Sequence, residues 1–507
     1  MATPQLLLAN SLEELHRLQD SDPHIVIRGT EQLSRTHLKR LIDNGWLQEV
    51  MKGWYVPSRP GSEGDTTVWY TSYWHFIRAY AESKFGSDWC LSPEMSLDIH
   101  SGKTTVPTQL IIKSPKANNN LVGLPYGHSM LTLRGEVKQE YIEVDPDSGL
   151  NLLTLEYALT YASPAYYRND ATSAKVCLSM LATSVNILKL LARNGATTRA
   201  GRIIGALRSI GNSIAADEIS TTMKDFGYTI VEENPFVDLP PDSIARSVSP
   251  YVGRLRLMWQ NMRQQVIDNF PELPHHVTDA DKYLAQVDEK YLEDAYHSLS
   301  IEGYQVSREL IEKVRSGNWK PDADDREHRN ALVARGYYLS FQAVKDSVNK
   351  IIRNTNPGAV VGEEHSRWYR QMWMPFVTAG ILSASDLIGY RNSQVYIRGS
   401  QHIPLNPKAV SDAMPEFFRL LTDEPDARVR AVLGHFMFVF IHPYIDGNGR
   451  MGRFILNAML ASGGYPWTVV PLEPREEYMK ALEKASVYSD ISDFTTVIAT
   501  LVSFNNK

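Results

Sequence analysis

A chain of 507 residues, 43% hydrophobic and 22% charged, has the balance of a globular protein with room for about two to four domains. Its net charge of −6 argues against wholesale coating of nucleic acid, although it leaves room for a local basic face. With Cys90 and Cys177 as its only cysteines, it can hold neither a disulfide framework nor a cysteine zinc site.

The N-terminal segment has too short an apolar run, and no basic leader, for a signal peptide. No stretch approaches the length of a membrane span, so a cytoplasmic protein without membrane contact is expected. Ser34 to Asn44 reads as a short helix, capped by Ser34 and stopped by Gly45, with Leu38, Leu41 and Ile42 on one face. Arg35, His37, Lys39 and Arg40 occupy the other face. Leu47 to Val56 reads as a hairpin turning at Lys52-Gly53. A helix with a basic face followed by a hairpin is the pattern of a winged helix, so residues 1–60 are expected to bind DNA through Arg35, Lys39 and Arg40.

Arg59 to Asp65 reads as a flexible connector. Strands are expected at Gln109 to Lys113 and Met130 to Arg134, and helices near Leu152 to Tyr161 and Ala174 to Leu191. Gly102-Lys103-Thr104 is not a P-loop, because the earlier glycine would fall at Leu97. The order of these elements, with Gly53-Trp-Tyr-Val-Pro57, resembles the abortive-infection type of transcriptional-regulator antitoxin (AbiEi-like) over roughly residues 1–230. The resemblance implies an α+β domain at 61–232 and a role in binding an operator rather than in catalysis. Residues 233–249, rich in proline and acid, read as a linker. His275-His276 lacks further ligands at zinc spacing.

From 250 to 507 the pattern is helical almost throughout, so the chain is mainly α. Helices are expected at Tyr251 to Asn269, Asp279 to Ser298, Arg308 to Ser316, His328 to Arg353 and Glu364 to Val377. Asp386 to Pro404 alternates like a hairpin with Gly399 near its tip. Val429 to Ile441 is almost unbroken apolar and reads as a buried helix, ended by Pro443 because proline disfavours helical backbone in the preceding residue. Its His435 reads as a core histidine. Arg450 to Leu460 reads as a second helix.

Between those helices, Gly447, Asn448 and Gly449 let successive backbone N–H groups converge into an anion-binding nest at a helix N-terminus. Arg450 and Arg453 share one face of the first turn and can grip phosphate oxygens. Asp446 is a hard oxygen ligand suited to Mg²⁺ shared with those phosphates. His442 stands at the rim as a candidate general base. The residues themselves describe a site for a magnesium polyphosphate with a base beside it.

The stretch His442 to Arg453 resembles the signature of Fic-domain proteins, His-Pro-Phe-x-(Asp/Glu)-Gly-Asn-Gly-Arg-x-x-Arg, with Tyr444 in place of Phe. The resemblance implies an all-helical Fic fold over 250–507 and transfer of AMP from ATP to a Ser, Thr or Tyr hydroxyl of a target protein, or of the enzyme itself. It implies that Arg453 holds the γ-phosphate, that Tyr478 lies near the nucleoside, and that a hairpin flap at Val395, Tyr396 and Ile397 docks the target by strand addition. Ser298-Leu-Ser-Ile-Glu302-Gly303 resembles the family's inhibitory motif, carried on a helix near 285–303. Glu302 would pair with Arg453 and restrain the enzyme. Two alternatives stay open: removal of AMP at the same site, or a DNA-binding regulator whose Fic half senses nucleotide. Homodimers are common in the family, although no residue argues for one here.

Overall fold

Strong helix formers dominate the chain, and helix accounts for 63% of the computed structural model, with few strands. The structure describes residues 3–22, 24–61, 66–236, 249–271, 277, 279–317 and 325–505. Part of the connector at 62–65, most of the linker at 237–248 and the pair His275-His276 lie outside them. The chain divides into two units, Met1–Arg254 with Tyr396–Ile403, and Leu255–Val395 with Pro404–Lys507.

In the first unit, helix Arg35–Asp43 starts where the Ser34 hydroxyl accepts the His37 N–H at 3.2 Å. Strands Leu47–Met51 and Trp54–Pro57 pair antiparallel across Gly53, whose φ of +82° is the left-handed turn that glycine adopts freely. Leu41 is fully buried and Leu38 packs on the same cluster, whereas Ile42 faces outward. The basic face is not uniformly free. Arg40 donates through Nη1 to the Leu7 carbonyl at 2.9 Å and to the Ser11 hydroxyl at 2.8 Å, both on helix Pro4–Ser21. His37 Nδ1 meets the same hydroxyl at 2.9 Å. Arg35 and Lys39 remain exposed.

Helix Thr67–Phe85 buries Trp69, Tyr73 and Phe76 against a four-stranded sheet. The sheet runs Cys90–Leu91, Gln109–Ser114, Ser129–Arg134, Asn120–Gly123, with the central pair parallel. The expected helix over 174–191 is instead two, Ala171–Ser179 and Val185–Asn194. The break falls where the Ser179 hydroxyl bonds back to the Val176 carbonyl, a local bond that competes with the helical ladder, and the Ser184 hydroxyl donates to the distant Glu218. Leu152 and Leu153 close a short strand, Asn151–Leu153, and the following helix begins at Leu155. The linker also starts later than 233: Glu233 N–H donates to the Gly201 carbonyl, and Phe236 is buried beside Lys175 and Tyr167.

In the second unit the expected helices form at Ala280–Ile301, Arg308–Arg315, Asp325–Ile352 and Pro357–Thr378. Helix Pro250–Asn269 also forms, and its residues from Leu255 on belong to this unit. Helix Ala427–Ile441 lies at the centre of this unit, with nearly every residue from Val429 on buried. It is followed by Asn448–Ser462, equally enclosed, and then by Arg475–Tyr488 and Ser492–Asn505. Among the described residues, no helix is long and apolar enough to cross a membrane.

The hairpin expected over 386–404 does not form. A turn sits at Arg398–Gly399, close to the expected tip, but no ladder joins the two limbs. Side chains bridge them instead: Gln394 Nε2 donates to the Pro404 carbonyl at 2.7 Å. Within the first unit, His402 forms an isolated antiparallel bridge to Thr105, and Ile403 N–H donates to the Thr104 carbonyl. Val395, Tyr396 and Ile397 are half-buried and lie in no strand.

Candidate active site

The site is built where helix Ala427–Ile441 ends. Its C-cap is His442, left-handed at φ +55° and ψ 60°, a conformation that lets the chain reverse before Pro443 but is uncommon for a residue with a Cβ. His442 Nδ1 lies 3.0 Å from the Val439 carbonyl, so it carries the proton and leaves the Nε2 lone pair free. Burial pulls the imidazole down to about 4, against the raising effects of Glu302 and Asp446, so it is neutral at physiological pH.

The loop that follows is closed by Asn448. Its Oδ1 accepts the Tyr444 N–H at 3.0 Å and its Nδ2 donates to the Tyr444 carbonyl at 2.8 Å. That pair spends the amide on the loop itself, so Asn448 shapes the nest instead of reaching a ligand with its side chain. The Tyr444 ring stacks on Tyr369 at 3.7 Å between centroids, keeping the aromatic role of the phenylalanine it replaces. Gly447, at φ +90°, turns the chain into helix Asn448–Ser462.

Asp446 projects from this loop with its side chain 54% exposed, 3.3 Å from Arg450 Nη2 and 3.4 Å from the Tyr304 hydroxyl. Among the described residues no three His, Cys, Asp or Glu side chains converge on a metal position. One exposed carboxylate beside an anion nest fits Mg²⁺, which takes one or two protein oxygens and completes its shell with phosphate and water. Arg450 is almost completely buried, with its guanidinium over the rings of Trp373 and Tyr304 at 5.0 and 5.3 Å.

Arg453 does not point at open solvent. Its Nε donates to the Ser298 hydroxyl at 2.9 Å, and its Nη2 to the Ser298 carbonyl at 3.1 Å and to Glu302 Oε1 at 2.7 Å. Glu302 is the residue after helix Ala280–Ile301, and Gly303 at φ +87° carries the chain away from it. Burial raises the Glu302 carboxyl, but Arg453 and Arg450 outweigh it and hold the group below its ordinary value. A methyl group added at Gly449 would lie 2.4 Å from Glu302 Oε1, so the carboxylate rests directly on the start of the motif helix. Glu302 therefore places a negative charge against the first turn of that helix.

Tyr478 is buried, with its hydroxyl 2.7 Å from His435 Nε2. Burial pushes the phenol up to about 12 and pulls His435 down to about 3, so the two form a neutral core pair. Three features escaped the sequence reading: the Trp373 and Tyr304 rings around Arg450, the bond from Arg391 Nε to the His442 carbonyl at 2.7 Å, and a cavity of about 500 Å³ beside Asp446 lined by Tyr369, Trp373, Phe376, Leu382 and Leu387. None of these residues falls in a spaced motif with His442.

His442, the Gly447–Gly449 loop, both arginines and Asp446 thus lie within one helix-loop-helix segment. Residues 365–460 match the Fic/DOC family, and the chain carries a Fic domain there. A Drosophila sechellia relative, "Protein adenylyltransferase Fic", is 28% identical over 215 residues, and the Drosophila erecta protein of that name is 29% identical. Each alignment covers 42% of this chain and 40% of the relative, so the chain spans about two fifths of the length of these relatives. Among solved structures, a fragment of Fic-1 from C. elegans is 18% identical, with a TM-score of 0.37, over 69% of this chain and 88% of that one.

Proposed function

We propose that this chain is a protein adenylyltransferase held at rest by Glu302. The observation that carries the reading is His442, with Nδ1 on the Val439 carbonyl and Nε2 free, beside a Gly-Asn-Gly turn whose Arg453 pairs with Glu302 and whose Arg450 pairs with Asp446. His442 Nε2 takes the proton from a Ser, Thr or Tyr hydroxyl on a target protein or on the chain itself. The oxygen attacks the α-phosphorus of ATP, and the bond to the bridging oxygen breaks to release pyrophosphate. The backbone N–H groups at Gly447 to Gly449, with Arg450, face the charge that develops. Asp446 would hold Mg²⁺, which neutralises the phosphates when bound. Arg453, once released by Glu302, reaches the γ-phosphate.

Glu302 also lies close enough to His442 to raise its basicity, which favours a second activity at the same site. A carboxylate there can orient a water for removal of AMP from a modified target. At the other end of the chain, exposed Arg35 and Lys39 next to a hairpin support operator binding by an AbiEi-like N-terminal region, the part of the reading that would make the protein a regulator.

The test uses ATP labelled at the α-phosphate. Glu302→Gly should increase label on protein, and His442→Ala should abolish it in the same background. Equal labelling by both variants removes the mechanism, and loss of AMP release on Glu302→Gly would establish the second activity.

A further inference from the structure

Arg391 is buried, 5% exposed, and among the described residues it has no ion-pair partner. A cation enclosed without a carboxylate is costly unless its donors are all used. Here they are spent on three separate carbonyls. Nε donates to His442 O at 2.7 Å, Nη1 to Ser393 O at 2.8 Å, and Nη2 to Leu405 O. The Arg391 backbone N–H also donates to Pro443 O at 3.0 Å. One side chain thus joins the carbonyl of the candidate base to both feet of the loop that leaves the helical unit at 395 and returns at 404.

His442 needs such a fastening. Its left-handed backbone is strained for a residue with a Cβ and persists only where the surroundings over-determine it. On the near side the ring is held by the Val439 carbonyl; on the far side the peptide carbonyl is held by the Arg391 guanidinium. A planar fork of five N–H donors can reach three carbonyls at once, which an ammonium on a single stem cannot.

We infer that Arg391 is a positioning residue that fixes the His442 backbone to the two feet of the 391–405 loop and so sets the aim of the imidazole. The inference rests on His442 acting as the base. Burial holds Arg391 at about 10, so it stays charged through the working range. Its charge lowers the His442 basicity, while Glu302 and Asp446 raise it and the Val439 carbonyl stabilises the protonated ring.

The full chain carrying Glu302→Gly is the background, with α-labelled ATP and self-labelling or a hydroxyl-bearing protein acceptor as readout. Arg391→Lys keeps the charge and loses the fork; Arg391→Gln loses both. Both should lower kcat about 100-fold, as expected for misplacement of a reacting group by about 1 Å. ATP affinity should stay within about twofold, because no phosphate-binding group is touched. Arg391→Gln should in addition move the acid limb of the pH profile upward, which a merely structural role would not do. Retention of kcat by the folded lysine variant, or a loss confined to ATP affinity, overturns the inference. So does loss of cooperative melting in Arg391→Lys, since Arg391 would then be a folding residue. His442→Ala measured alongside separates the two claims: residual transfer there sinks the base assignment, whatever the arginine variants do.

Discussion

Glu302 Oε1 stands 2.7 Å from Arg453 Nη2, and the same oxygen would lie only 2.4 Å from a Cβ on Gly449. One carboxylate thus holds Arg453 and lies against the start of the motif helix. A charge-assisted bond between partners only 25% and 3% exposed is directional and weakly screened.

Glu302→Gly should raise self-labelling by about 10-fold or more, since a misplaced phosphate chain is expensive for in-line transfer. It should also lower stability without nucleotide by about 2 kcal/mol, because Arg453 loses its charged partner while buried. Adding ATP and Mg²⁺ should restore that loss in a melting curve. A variant that gains activity with no change in melting, with or without ATP, would show that the pair is not the restraint.

The pH profile follows from the direction of the His442 shift. The base works unprotonated, and its folded value of about 4 lies below the ordinary histidine value. Transfer by Glu302→Gly should therefore be nearly flat between about pH 6 and 8 and fall as pH drops toward 4. An acid limb centred near 6.5 would mean that the ring is solvated in the working state.

Gly449→Ala puts a methyl group 2.4 Å from the Glu302 oxygen, so carboxylate and helix start cannot both keep their places. In the Glu302→Gly background the same methyl intrudes on the phosphate nest. ATP affinity, read by calorimetry, should fall at least about tenfold, or about 1.4 kcal/mol. Unchanged affinity would place the phosphates elsewhere.

Tyr444→Phe restores the aromatic of the family signature. The stack on Tyr369 at 4° between planes survives this change. Activity should stay within about twofold, and stability within about 1 kcal/mol. A large loss of transfer would give the phenol a role that the stacking does not explain.

Near the N-terminus, Arg40→Ala should cost about 1 kcal/mol of stability by removing its bonds to Leu7 and Ser11. Arg35→Ala and Lys39→Ala should leave stability alone. If that face meets DNA, these two should weaken binding in a gel shift and flatten its salt dependence by about one unit each. No shift with any promoter fragment would remove operator binding.

The candidate site was legible because its parts are contiguous. Residues 442 to 453 hold the candidate base, the candidate metal carboxylate, the Gly-Asn-Gly turn and both arginines, and backbone geometry follows from the local order of proline, glycine and asparagine. Helices in the second half were legible for the same reason: periodicity is a local property. The expected hairpin at 386–404 failed because its own side chains, Arg391 and Gln394, take the carbonyls of Ser393, Pro404 and Leu405 in place of a backbone ladder, and because His402 pairs with Thr105 far along the chain.

By itself, the amino-acid order determined which residues could bind a polyphosphate and which could accept a proton, since side-chain chemistry and turn geometry need only near neighbours. Tertiary structure decided what each of them does at rest. It brought Glu302 to Arg453 from 151 positions away, fastened the His442 carbonyl to Arg391, and buried Tyr478 against His435. It also turned Arg40 toward helix Pro4–Ser21 instead of solvent. Such contacts depend on where whole helices pack, and packing is set by the sum of many weak apolar contacts that no short motif records.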